Sequence, residues 1–485
     1  MSASLPASQL LDLDAVALAG ALRSEKVSCV ELMSATLDRI EALNPLFNAI
    51  VALRDRETLL AEARARDAQP ARGPLHGFPI AIKDLAAAKG LPMTMGSPIL
   101  KDFVADADSI FVERIRAAGA IIIGKTNTPE FGLGSQTYNP VYGPTCNAYD
   151  PALSAGGSSA GAAVALALRM LPVADGSDYG GSLRNPAGWN NVYGFRPSIG
   201  RVPNDGREAW LPSMGVNGPM ARSPADLALL LSVMAGYDPR EPLSIAGDGG
   251  EFSAPLEGDV RGARIAWVGD WGGALPCESG VLKVCERALE TFQALGCVVE
   301  RAQPEFSLDA LWDAWVTLRQ WQVGTALAPF WNVPAMRVLM KPEAVWEVER
   351  GARLSAFDIS AASAVRTRWN QTLIAFFERY DFLVLPTAQV FPFAVETHWP
   401  AEIAGRQMET YHEWMKCVVA ATMAGGPALA APAGFGDNGL PMGIQILGRN
   451  RAEFGCLRLA WAYEQASSWP RKRRPSALGC FRSRI

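Results

Sequence analysis

Three short segments carry residues that could act on a carbonyl group. The first, Gly77-Phe78-Pro79-Ile80-Ala81-Ile82-Lys83-Asp84, sets one lysine at the end of an apolar strand. Desolvation there lowers an ammonium pKa and leaves a neutral amine usable as a base. The second is Gly156-Gly157-Ser158-Ser159-Ala160-Gly161, and the third is Gly176-Ser177-Asp178-Tyr179-Gly180-Gly181-Ser182-Leu183-Arg184. Glycines before a serine let the backbone approach a ligand closely, and successive N–H groups form an anion-binding nest. Such a nest is what an oxyanion hole requires. Taken singly, each segment also reads blandly, as a surface lysine or a flexible loop.

The elements that must position these residues can be read from periodicity. Ser28 precedes Glu31 as in a capping box, and Val30, Met33, Leu37 and Ile40 follow at helical spacing, with Asn44-Pro45 predicted to end that helix. A second helix is predicted over roughly Asp55 to Asp67. Phe78 to Ile82 reads as a short apolar strand, Ile110 to Ala118 as a helix and Ala120 to Ile123 as a buried strand. Ala162 to Leu171 suits a tightly packed helix, and Ser223-Pro224 opens another. Gly262 to Val268, Phe382 to Pro386, Ala428 to Pro432 and Met442 to Leu447 read as strands. Strands alternating with helices predict a largely parallel or mixed sheet covered on both faces.

Two motif matches fail on physical grounds. Gly119 to Thr126 fits the P-loop pattern letter for letter. Its supposed loop is three consecutive isoleucines, which form a strand, and no helix opens after Lys125-Thr126. Gly157 to Gly161 fits the G-x-S-x-G elbow, but neither His398 nor His412 has the setting a hydrolase histidine needs.

Read in order, the segments resemble the amidase signature family. The resemblance includes Asn44 to Ala49, Gly77 to Asp84, Gly124 to Gly132, the Gly156 to Gly200 block, Gly218 to Ser223, Asp381 to Thr387 and Leu440 to Gln445. It implies an α/β fold, an α/β/α sandwich around a large central mixed β-sheet with a variable helical cap. One domain over 1–485 is implied, with N-terminal helices at 1–68, a core carrying the catalytic residues at 69–240, a cap at 300–380 and the end of the core at 381–470. Carried over residue by residue, it makes Ser182 the nucleophile, Ser158 the bridging serine after a cis bond from Gly157, and Lys83 the base. Backbone N–H groups of Tyr179, Gly180, Gly181 and Ser182 would hold the oxyanion, while Ser159, Asp178 and Arg184 would brace the loop. No metal and no cofactor are implied. Ser177, Tyr179, Cys146 and Ala160 depart from the family's usual residues, changes the implied triad tolerates, since Ser177 keeps a hydroxyl and Tyr179 contributes its backbone.

In this family the segment after Phe131 lines the acyl pocket, so Gly132, Leu133 and Gln136 are candidates for substrate binding. Nothing there offers a fixed charge. Residues 306–346 hold Trp312, Trp315, Trp321, Trp331 and Trp346, and Trp331, bracketed by Pro329 and Pro334, is predicted to be a mobile lid. The reading favoured is a hydrolase of neutral, apolar or aryl amides, with carbamates (urethanes) compatible. The alternatives are the catalytic subunit of a tRNA-dependent amidotransferase and a non-catalytic protein on the same fold.

Composition bounds the rest. The formal net charge is −4 and the pI about 5.7, which argues against a nucleic-acid partner. There are 485 residues and 49% hydrophobic ones, enough for a sizeable core. The 8 cysteines include no C-x-x-C pair and read as reduced thiols. No secretory signal and no apolar run of bilayer-spanning length is visible, so a cytoplasmic location without membrane contact is expected. The expected partner is a small-molecule amide or carbamate, and the chain is expected to be a monomer or homodimer. The basic run Arg471 to Arg474 reads as solvated surface.

Overall fold

A computed structural model describes residues 7–482 apart from 205, 207, 212 and 213, and side chains from 9 to 479. The thiol of Cys480 and both extreme ends of the expected 1–485 domain therefore lie outside the described residues. Seven cysteines are described, and all are free thiols.

The architecture is α/β, with an eight-stranded mixed sheet at its centre. Its order is Val173–Asp178, Val216–Ala221, Tyr193–Arg196, Ala428–Phe435, Pro441–Gly448, Phe382–Pro386, Arg264–Trp267 and Val298–Arg301. Neighbours are antiparallel from the first strand to Phe382–Pro386, and only the last two pairings are parallel. Both faces are covered, because side chains alternate across a strand. Val384 joins a core with the helices Pro224–Met234, Val281–Ala294 and Glu453–Ser467. Leu383 and Leu385 join a separate core with the helices Leu308–Trp331 and Ala356–Phe376. No helix among the described residues is long and apolar enough to cross a membrane.

A second sheet of three strands carries the lysine. Pro79–Lys83 runs parallel to Ile121–Thr126, which pairs antiparallel with Ile50–Val51. Gly119 to Thr126 thus contains a buried strand, as its isoleucines require. The Lys83 backbone N–H donates to Asp175 Oδ1 at 3.1 Å, tying this sheet to the edge strand Val173–Asp178 of the large one.

Local chemistry explains most boundaries. Ser28 and Glu31 form the reciprocal capping box of the helix Cys29–Phe47. Pro45 does not end that helix. Its missing N–H falls in the last exposed turn, where one lost bond costs little, and the chain leaves at Asn48 in the left-handed region instead. The helix predicted at 162–171 spans Ala160–Ala167 and is buried all round. Its small residues are a packing requirement: a Cβ on Gly161 would sit 2.3 Å from the Asn127 backbone nitrogen. Arg471 and Arg474 are exposed, and they pair with Asp14 and Asp12 near the N-terminus.

Candidate active site

Lys83, Ser158 and Ser182 come from three different segments and are all buried, and the structure brings Lys83 and Ser158 into direct contact. Lys83 ends its strand with its Nζ 2.7 Å from both Ser158 Oγ and Ser159 Oγ, and 3.0 Å from Ser177 Oγ. Burial pushes its ammonium down to about 7, while Asp175 and Asp178 pull in the other direction. Asp175, also buried, is pushed up to about 6, against the Lys83 N–H and the charges of Lys125 and Lys83. The peptide bond Gly157–Ser158 is cis.

Ser182 lies in the turn between the strand Val173–Asp178 and the short helix Asn185–Trp189. Among the described residues its hydroxyl makes no hydrogen bond, so of these three residues only Lys83 and Ser158 touch one another.

Asp178 shapes that turn. Its carboxylate accepts from the N–H groups of Gly181 (3.0 Å) and Leu183 (3.1 Å) and from both arms of the Arg184 fork at 2.9 Å. Arg196 reaches the same carboxylate at 3.2 Å. Burial opposes ionisation, but Arg184 and Arg196 overcome it and hold the carboxyl well below the usual range. Arg184 in turn donates to the Val418 carbonyl, Gln445 Oε1 and Thr422 Oγ1. Gly181 adopts φ +94°, where a side chain would be strained.

The N–H groups expected to hold an oxyanion differ in what they already bond. The Gly181 N–H is engaged by Asp178, whereas those of Tyr179, Gly180 and Ser182 have no acceptor among the described residues. Gln136, expected to bind substrate, has partners of its own. Its amide is spent inside the protein, donating to the carbonyls of Val395 (2.7 Å) and Thr397 (3.2 Å) and accepting from Ser154 Oγ. Gly132 and Leu133 stay beside the centre. A Cβ on Gly132 would lie 3.7 Å from Ser158 Oγ, and Leu133 joins an apolar cluster with Phe131, Leu327, Met340, Ala344 and Val348. Trp331, expected as a lid, packs on that cluster. Pro329 lies inside the helix that Trp331 ends, and Arg337 covers the indole at 4.3 Å while donating to the Trp331 carbonyl.

Several participants escaped sequence reasoning. Ser177 Oγ accepts from the Lys83 amine, and Asp175 is an acidic residue in a buried strand, a signal that was legible in principle. Arg196 and the cluster of Arg319, Glu347, Tyr411 and His412 left no such signal, since their partners are distant in sequence. His412 is buried, and its surroundings and the Arg319 charge keep it neutral at ordinary pH. His398 stacks on Tyr138.

The family model for Amidase matches residues 31–457. An acylamidase of Rhodococcus erythropolis is 35% identical over 482 residues, covering 96% of this chain and 98% of that protein. A glutamyl-tRNA(Gln) amidotransferase subunit of Chloroflexus aurantiacus is 34% identical over 491 residues, covering 96% and 99%. Among solved structures, a bacterial aryl acylamidase of the amidase signature enzymes matches with a TM-score of 0.88 at 30% identity, over 95% of this chain and 97% of that one.

Proposed function

The chain belongs to the amidase family and is an enzyme acting on amides, and from that premise we propose that it is a stand-alone serine hydrolase of neutral amides with apolar or aryl acyl groups. Carbamates of similar shape fall within the same chemistry. The observation that carries the substrate class is the apolar cluster of Phe131, Leu133, Leu327, Met340, Ala344 and Val348, with Phe330 stacked on Phe131 at 5.7 Å. It adjoins Gly132, which stands against Ser158 Oγ. Apolar surface beside the reacting atoms favours an acyl group without charge.

The mechanism follows from the proton inventory. Neutral Lys83 has one lone pair on Nζ, 2.7 Å from Ser158 Oγ, and takes the Ser158 proton. Ser158 takes the proton of Ser182, and the Ser182 oxygen attacks the carbonyl carbon. The tetrahedral oxyanion is met by the N–H groups of Tyr179, Gly180 and Ser182, preorganised by the Asp178–Arg184 pair. Ser158 returns a proton to the leaving nitrogen, the C–N bond breaks, and water hydrolyses the acyl-serine by the same relay. Ser159 and Ser177 hold the Lys83 amine in place.

A second reading is supported by the likeness to the glutamyl-tRNA(Gln) amidotransferase protein, which covers the chain as fully. In that case the substrate is glutamine and the ammonia passes to a partner. The apolar cluster disfavours it, because glutamine needs fixed partners for its ammonium and carboxylate, and the buried charges beside the cluster are engaged within the protein: Lys341 donates to the Leu133 carbonyl at 3.0 Å and pairs with Glu343.

The test is amine release from an anilide and a carbamate of one chromogenic aniline, by wild type beside Ser182→Ala. Turnover by wild type alone supports the serine mechanism, and the ratio of the two rates ranks amide against carbamate. Cleavage of glutamine with neither aryl compound turned over would favour the amidotransferase reading.

A further inference from the structure

The helices at 308–351 reach the catalytic turn through one buried charged cluster. Arg319, on the helix Leu308–Trp331, pairs with Glu347, on Pro342–Gly351, at 2.7 Å. The Tyr411 hydroxyl bridges them, accepting from Arg319 Nη2 at 2.9 Å and donating to Glu347 Oε1 at 2.5 Å. All three side chains are buried, so water does not compete for these contacts. Lys83, Ser158 and Ser182 do not use them.

What the cluster covers is the turn that precedes Ser182. The Arg319 guanidinium lies 5.1 Å over the Tyr179 ring and 5.4 Å from the Trp315 ring. The Tyr179 hydroxyl donates to Gln322 Oε1 on the same helix at 2.5 Å. A Cβ on Gly180 would stand 3.1 Å from Trp315 Cζ2, so the indole edge limits that peptide from the other side. Tyr179 and Gly180 are two of the three residues whose N–H groups have no acceptor among the described residues. Two charges in a dry interior stabilise a fold weakly compared with apolar residues, but they enforce one geometry, since a misplaced partner leaves a bare charge. A guanidinium held over an aromatic face fixes that ring in the same way.

We infer that Arg319, held by Glu347 and Tyr411, is a positioning residue for the oxyanion donors. It clamps the Tyr179 ring, and the clamp orients the Tyr179 and Gly180 N–H groups. The inference rests on the reading of this turn as the oxyanion site.

The experiment compares Arg319→Met, Tyr179→Leu, the double variant and Tyr411→Phe, using an aryl amide substrate and an arylboronic acid. The boronic acid reports on the tetrahedral state: the serine oxygen bonds to boron, the serine proton passes to the relay, and the adduct carries the negative charge. Arg319→Met is expected to lower kcat about 10²-fold, the size seen when an oxyanion donor is lost. KM should stay within about threefold, while boronate affinity falls in step with kcat. The double variant should be no worse than the weaker single one, because both remove one clamp. Unchanged kcat and boronate affinity, losses that multiply in the double variant, or a change confined to KM would each overturn the inference. Should Arg319→Met not yield folded protein, Tyr411→Phe decides. It removes one hydroxyl and keeps the ion pair, and it should lower kcat about tenfold at constant KM; an unchanged kcat refutes the clamp. Ser182→Ala separates the two readings. Turnover surviving in that variant removes the serine mechanism, whereas an inactive Ser182→Ala beside an unaffected Arg319→Met removes only the clamp.

Discussion

Replacing Asp175 by asparagine should make the enzyme more active in mild acid. Lys83 must be neutral to accept a proton, and burial pushes its ammonium down to about 7. Activity in wild type should therefore rise with pH through about 7 and level off above it. Asp175 is the main charge opposing that shift, and its carboxylate also accepts the Lys83 backbone N–H at 3.1 Å. Asparagine keeps an acceptor oxygen for that N–H and removes the negative charge. Without the charge the ammonium is less favoured, so the midpoint must move down, by about one unit for a near neighbour in a buried setting. A midpoint moved from about 7 to about 6 raises the neutral fraction at about pH 6.5 from roughly a quarter to roughly three quarters. The expected gain in kcat/KM there is about threefold, with the alkaline plateau unchanged. The assay is the pH profile of kcat/KM for a chromogenic anilide, with Lys83→Met as the inactive control. A midpoint that stays in place or moves up would refute the argument, as would a wild-type rate that falls between about pH 6 and 8.

Other consequences can be checked as directly. Asp178→Asn breaks the buried pairing with Arg184 and Arg196 and should destabilise the protein by about 3–5 kcal/mol, read as a lower denaturation midpoint. Gln136→Ala leaves the Val395 and Thr397 carbonyls short of a donor. It should cost about 1–3 kcal/mol of stability while KM for the folded enzyme stays put, as fits a structural amide rather than a substrate contact. Leu133→Ala opens the apolar cluster beside Gly132 and should lower kcat/KM for aryl-acyl amides about tenfold, with little effect on an acetyl amide in the same assay.

Strands and helix ends were legible where a local rule applies. The capping box of Ser28 and Glu31 and the cap at Ser223 appear as their residues predict, and the isoleucine strand expected at 120–123 is found at 121–126. The helix end at Asn44-Pro45 did not follow, because a proline in the final exposed turn loses only one bond. Trp331 between two prolines looked free, but helix propagation through Pro329 and the Arg337 cover are contacts that sequence spacing does not encode. The contacts of Gln136 were illegible for a similar reason. Its partners at Val395 and Thr397 lie far along the chain.

The residue types themselves determine a great deal: one lysine closing an apolar strand, serines behind glycines, and an order of segments that identifies the family. These are local properties, set by side-chain chemistry and by which backbone conformations glycine permits. Only the tertiary structure decides that Lys83 is buried enough for its ammonium to be pushed down to about 7, that Asp178 engages the Gly181 N–H, and that Arg319 covers Tyr179. Each of these depends on burial and on partners from distant segments. Desolvation and ion pairing act through space, and chain order alone does not specify which charges meet.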